Sequence, residues 1–262
     1  MRSAFAALSF AVVAQASDNP FGYSNDVGIT SQGEWELQQS ITMRSGMDQG
    51  SGFDGAYRGL DFVSQLEWGL SDRAHLDFQS CESHLRTRGF RFDGLNIEYK
   101  RQLRDGAGGT WGAAWAAALG YSQLDAADGG LRTETRCAVR LLLQKEFGGR
   151  SAWCYVSNFS SGLAHNPAGT TGQIEWSQGI AYRADDHRTF GLEAVADGAW
   201  SCFRTFENSS LRLGPTFGYK TGQFSATISY LWQVSGAPAT QGGLNLRDTS
   251  RSEARLLLNY GF

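Results

Sequence analysis

RLLLNYGF, residues 255–262, ends the chain on an aromatic residue after a run of leucines. Chain ends usually fray, and frayed ends are usually polar. At period two the run separates into two faces. Leu256, Leu258, Tyr260 and Phe262 fall on one, and Arg255, Leu257, Asn259 and Gly261 on the other. The stretch predicts a strand with one apolar side, and something must cover that side.

The same alternation runs back through the chain. GEWELQQSITMRSG (33–46) places Trp35, Leu37, Ile41 and Met43 opposite Glu36, Gln38, Ser40 and Thr42. It recurs at 60–68, 73–82, 92–103, 111–121, 132–147, 152–160, 173–183, 189–198, 210–220 and 223–233. That is about twelve strands, many near the roughly 9–11 residues a tilted membrane strand needs. No helical period of any length is present. Short connections around Ser71, Gly106, Gly149, Asp185 and Gly222 alternate with longer ones at 46–56, 83–91, 122–131, 161–172, 199–209 and 234–251. Such alternation is expected of strands that run up and down between two sides with different rules. No linker interrupts residues 34–262, which predicts one domain.

A soluble sandwich or a lipocalin-like barrel also alternates, with its apolar face inward. Aromatic residues separate these from a membrane barrel. Trp35, Trp68, Trp111, Trp153, Tyr219 and Phe262, among others, sit near short-turn ends. Rings gathered at one end of the strands suit an interfacial girdle at headgroup depth, for which a soluble core has no use. The reading is all-β: a single closed antiparallel up-and-down transmembrane β-barrel of about twelve strands, covered by the lipid bilayer. The last strand pairs with the first and leaves no edge. Its ending, Leu256, Leu258, Tyr260 and Phe262, resembles the assembly signal of bacterial outer-membrane barrels. That resemblance implies the barrel assembly machinery as a partner.

NPFGYSNDVGITSQGEWELQQSITMR (19–44) resembles the opening of a family of uncharacterised Gram-negative outer-membrane barrels, with a PFGY-type start and a Gly-x-Trp-Glu first strand. LEWGLSDRAHLDF (66–78), FDGLNIEYKRQL (92–103), LQKEFGGR (143–150), GIAYRADDHRTFGLEA (179–194) and LGPTFGY (213–219) match it as well. More loosely, the chain is similar to transporter-like barrels found near aromatic-degradation genes. These resemblances imply an outer-membrane location and name no solute.

MRSAFAALSFAVVAQASDNP (1–20) has an early arginine, an unbroken small and apolar run from Ala4 to Ala14, and Ala14-Gln15-Ala16 as a small-x-small site. This predicts a secretory signal peptide over 1–16, cleavage near Ser17, and a periplasmic segment over 17–33. The net charge of -3 shows no basic patch and gives no hint of nucleic acid. Cys81, Cys137, Cys154 and Cys202 form no CxxC and no Cys/His pair of metal-ligand spacing, so neither metal nor cofactor is expected.

A hydrolase would need a serine with a histidine beside it. His75, in AHLDF, has Asp77 two residues on and no serine at that spacing. His84, His165 and His187 fall in loops or turns, so no enzyme is expected. If lipid covers the apolar face, Glu67, Glu98, Arg140, Glu175, Arg183, Glu193 and Arg212 point inward. They are either internal ion pairs that stiffen a narrow barrel or groups that select solutes. Strand five has small inward residues, Gly112, Ala114, Ala116 and Ala118, which offer space for a path. That space is equally suited to long side chains opposite or to the tucked segment 17–33. Pro215 inside a strand predicts a bulge at Gly214-Pro215, and a disulfide between Cys81 and Cys202 would need loops folded over the mouth. The function expected is passive, channel-like passage of an unnamed small molecule. The alternatives are a structural or adhesive barrel with a plugged lumen, or a membrane-embedded hydrolase.

Overall fold

The computed structural model describes residues 19–48, 57–86, 88–106, 109–125, 129–149 and 152–262. The signal peptide expected over 1–16 and its cleavage near Ser17 lie outside the described residues. The strands are β1 (Trp35–Ser45), β2 (Arg58–Ser71), β3 (Ala74–Leu85), β4 (Gly89–Asp105), β5 (Trp111–Leu124) and β6 (Leu131–Phe147). They continue as β7 (Trp153–Asn166), β8 (Gly169–Arg183), β9 (Arg188–Ser201), β10 (Thr205–Thr221), β11 (Phe224–Ala237) and β12 (Ser252–Gly261). Each pairs antiparallel with its neighbours in chain order, and β1 pairs with β12, so the barrel is closed. Phe262 N–H donates to Trp35 O at 2.9 Å and Trp35 N–H returns to Phe262 O at 3.1 Å, which ties the last residue into the seam.

The apolar face points outward. Leu119 and Val139 are 64% and 61% exposed, and Leu141, Leu192 and Ile228 are exposed beside them. A water-soluble monomer rarely shows apolar patches beyond a few hundred Å², so this belt belongs in hydrocarbon. At the short-turn end Trp35 stacks on Trp68 with ring centroids 5.5 Å apart, and Trp153 packs against Tyr182 at 5.1 Å. Trp111, Phe190, Tyr219 and Phe262 stand exposed in the same girdle.

The interior is polar, and several of its buried charges are paired across strands. Arg44 Nε meets Asp61 at 2.6 Å. Arg140 Nη2 meets Glu98 at 2.8 Å, and Arg212 lies between Asp197 at 2.9 Å and Glu253 at 2.6 Å.

Two expectations change. The connections expected at 83–91, 161–172 and 199–209 are tight: only 86–88, 167–168 and 202–204 separate the strands. Those strands run on past the expected ends, with backbone pairing continuing to Leu85↔Gly89, Asn166↔Gly169 and Ser201↔Thr205. The expected bulge at Gly214-Pro215 is absent. Leu213 pairs with Trp232 and Thr216 with Ser229 in one register, and the shift lies at Leu211/Arg212. Pro215 simply contributes no N–H to the ladder. Cys81 and Cys202 remain thiols.

Leu141 stands 45% exposed near the middle of β6. Leu141→Arg is expected to cost about 2–4 kcal/mol in lipid, read as a lower urea midpoint for unfolding from vesicles. An unchanged midpoint would contradict the outward face.

Candidate functional site

The sequence predicts a periplasmic segment over 17–33; its described part, from Asn19, lies inside the barrel. It enters at the short-turn end, where Thr227 Oγ1 donates to Asn19 O at 3.3 Å and Thr216 Oγ1 to Pro20 O at 2.9 Å. It crosses the lumen and returns to β1, with Gly33 N–H donating to Gly69 O at 2.9 Å. The segment has no strand of its own, so its peptide groups need partners from the wall.

Glu193 of β9 provides the main one. Its Oε1 accepts from Tyr23 N–H at 2.9 Å and Ser24 N–H at 3.0 Å, and its Oε2 accepts from Gly22 N–H at 3.0 Å. Ser229 Oγ donates to Oε2 at 2.6 Å. Three successive N–H groups converging on one anion form a backbone nest. The carboxylate is 1% exposed, so the nest replaces the water it has lost. Charge-assisted bonds of this kind contribute about 1.5–3 kcal/mol each.

Two apolar anchors flank the nest. Phe21 is fully buried against Cys154, Val156 and Ala181. Gly179 makes room for it, because a Cβ there would lie 2.4 Å from a Phe21 ring carbon. Val27 packs on Ala114, Ala116 and Leu142. The strip expected as a path along Gly112, Ala114 and Ala116 is therefore occupied by the segment; its low packing density is filled by Val27. Between the anchors, Asn25 N–H donates to Asn158 Oδ1 at 2.6 Å and Asn158 Nδ2 donates to Asn25 O at 2.8 Å. Val27 N–H donates to Gln144 Oε1 at 3.0 Å. Arg255 lies over the Tyr23 ring, 3.9 Å from its centroid, and donates to Gly22 O at 2.9 Å. Burial pushes the Tyr23 hydroxyl well above the usual phenol range, against the pull of Arg255, so it stays protonated.

Open space is unequal on the two sides of the segment. Toward the long loops lies a cavity of about 590 Å³, with Tyr23 and Asn25 among its walls and Arg140, Glu175, Asp197, Asp248 and Arg255 as its charged groups. At the short-turn end, two cavities beside Pro20 hold about 40 and 30 Å³. Of the inward charges singled out in the sequence, Arg140 and Glu175 line the large cavity. Arg183 sits at the other end, 3.7 Å from Glu146. Arg212 is enclosed by its two carboxylates, Glu98 holds Arg140, Glu193 fills the nest, and Glu67 accepts from Thr30 Oγ1 at 2.9 Å. Reading the strands alone misses Tyr23, Asn25 and Asn158. A polar, aperiodic stretch with Phe21 and Val27 as isolated apolar residues was the available signal.

The last long connection also turns inward. Asn245 is fully buried, Gln233 Nε2 donates to its carbonyl at 3.1 Å, and Asp248 reaches the large cavity. His75 faces carboxylates, with Glu67 Oε2 3.4 Å from Nδ1 and Asp77 Oδ1 3.7 Å from Nε2. His165 Nδ1 contacts Thr170 Oγ1 at 2.8 Å, and His187 Nδ1 contacts Lys220 O at 2.8 Å.

Residues 13–262 match one family over nearly the whole chain. The chain belongs to the family of unknown function DUF6662. No curated protein matches it. Among solved structures it is similar to the COG4313 outer membrane channel from Pseudomonas putida F1, with a TM-score of 0.64 and 10% identity over 91% of this chain and 98% of that one. The NanC porin follows at 0.55 and 12% identity, over 86% of this chain and 98% of that one. The KdgM porin, solved with disordered oligogalacturonate, gives 0.52 and 7%, over 87% and 99%. At such identities the likeness is one of fold.

Glu193→Ala leaves the three N–H groups of the nest without their acceptor, at about 1–3 kcal/mol for each buried group. The segment is then expected to leave its seat. Chymotrypsin should cut after Phe21 or Tyr23 in this variant and spare them in the wild type, while the barrel keeps its heat-modifiable mobility on gels. Equal protection in both proteins would contradict the nest as the anchor.

Proposed function

We propose that this chain is a passive channel of the outer membrane of a Gram-negative bacterium, admitting small polar molecules. In this reading the short turns face the periplasm, the long connections face outside, and residues 1–16 direct export. Leu256, Leu258, Tyr260 and Phe262 present the strand read by the assembly machinery. The observation that carries the reading is the cavity of about 590 Å³ on the long-connection side of the segment, with separate cavities of about 40 and 30 Å³ beside Pro20 on the other. A solute enters the wide side and passes when the segment shifts. Likeness of fold to a channel and to porins supports the same reading.

The cavity bears both signs of charge. Arg140 and Arg255 stand with Glu175, Asp197 and Asp248, accompanied by the amides of Asn158, Gln173 and Asn208. This lining suits polar solutes without a large net charge, held by several hydrogen bonds at once. A second reading, a structural barrel with a permanent plug, is favoured by the full satisfaction of Glu193.

Ion selectivity separates them. In planar bilayers the refolded chain is expected to conduct, Arg140→Gln to shift the reversal potential toward cations, and Glu175→Gln to shift it toward anions, since fixed charge sets the local barrier to ions. Silence of the wild type supports the permanent plug. Conduction with identical selectivity in all three places the path elsewhere.

A further inference from the structure

At the short-turn end of the lumen, Glu67 on β2 and His75 and Asp77 on β3 form a cluster that the solute path does not use. One donor atom from each lies within 4.8 Å of the other two. His75 and Asp77 are each 3% exposed. Among the described residues, His75 Nε2 and Asp77 Oδ1 are buried with no hydrogen-bond partner. They face each other at 3.7 Å, too far for a hydrogen bond. Two ligands bound to a zinc ion at about 2.1 Å in tetrahedral geometry stand about 3.4 Å apart. The gap is close to that of a ligand pair.

Charge points the same way. Glu98 is directly opposite Asp77 in the ladder, and Asp26 approaches from the segment. Lys100 is the near cation, its Nζ 3.8 Å from Asp26 Oδ1, and Arg140 is engaged by Glu98 at 2.8 Å. The carboxylates Glu67, Asp77, Glu98 and Asp26 outnumber these two cations.

We propose that Glu67, His75 and Asp77 bind a first-row divalent metal ion of the zinc, cobalt or nickel type. One imidazole with two carboxylates is a donor set for these ions, whereas magnesium and calcium prefer oxygen alone. His75 Nε2 and Asp77 Oδ1 are the first two ligands, Glu67 turns in as the third, and water completes the shell.

Binding competes with the N-terminal segment. Thr30 N–H donates to His75 Nδ1 at 3.2 Å, so the neutral ring carries its proton on Nε2. A metal on Nε2 moves that proton to Nδ1, where it opposes the Thr30 N–H. Thr30 Oγ1 also holds Glu67 Oε2 at 2.9 Å. The ion and Thr30 therefore claim the same two side chains, and by linkage each weakens the other.

The test is a Co²⁺ titration of the refolded full barrel in detergent, followed by visible absorption, with Zn²⁺ as competitor. The expected result is one ion per barrel, displaced by Zn²⁺, with affinity lowered at least about tenfold in His75→Gln and in Asp77→Asn. Thr30→Ala should tighten binding, because Glu67 is released. A folded, heat-modifiable wild type that binds no Co²⁺ overturns the site. So does wild-type affinity in His75→Gln, which would move binding to another histidine. Unchanged or weaker binding in Thr30→Ala overturns the competition. None of these readouts requires the barrel to conduct.

Discussion

A peptide group left unpaired in hydrocarbon costs several kcal/mol, and water is not there to pair it. This constraint dictates the rest of the molecule. Twelve strands satisfy it only as a ring, and β1 meets β12 along a register running from Glu36↔Gly261 to Ser45↔Ser252. Once the ring is closed and its apolar side faces lipid, period two sends the other half of every strand into an enclosed space. That half is rich in charged and amide side chains, many of them buried. The lumen must then solve the problem of burial that the outside has escaped.

Two solutions are used. Near the long-loop end, arginine and carboxylate neutralise each other across strands, as Arg212 does between Asp197 and Glu253. Lower down, the chain supplies its own backbone. Gly22, Tyr23 and Ser24 bring N–H groups to Glu193, while Glu193 gives an otherwise unstructured segment a fixed place. Glu175 and one side of Arg140 are left toward the large cavity. Arg255 and Asn158 do both, holding the segment and lining the cavity, whereas Glu193 serves the segment and Glu175 the cavity.

Strands and lipid-facing residues were legible because the alternation of β1 or β12 is forced by the environment on each side. Strand ends were less so. Thr205–Ser209 precedes the strand expected at 210–220, and this run, polar except for Phe206, shows no period of two. The lumen was legible in composition and illegible in pairing. Glu193 was placed inward, but its partners lie some 170 residues earlier, in a stretch too short and irregular to show a period. Glu67, His75 and Asp77 were within reach. The tight turn at Asp72-Arg73 sets Glu67 opposite Asp77, and His75 shares a face with Asp77. Searching for cysteine and histidine spacing alone passed over them.

In the proposed channel the segment seated in the lumen limits passage, and a reversible tether tests this directly. Asn25 and Asn158 are in mutual contact, so Asn25→Cys with Asn158→Cys, in a chain whose four native cysteines are serine, should form a disulfide in the folded barrel. Single-channel conductance is measured before and after reduction. The account predicts that the oxidised barrel passes little current and that reduction restores openings at wild-type frequency. No disulfide in the folded barrel, or a conductance indifferent to the bond, would contradict it.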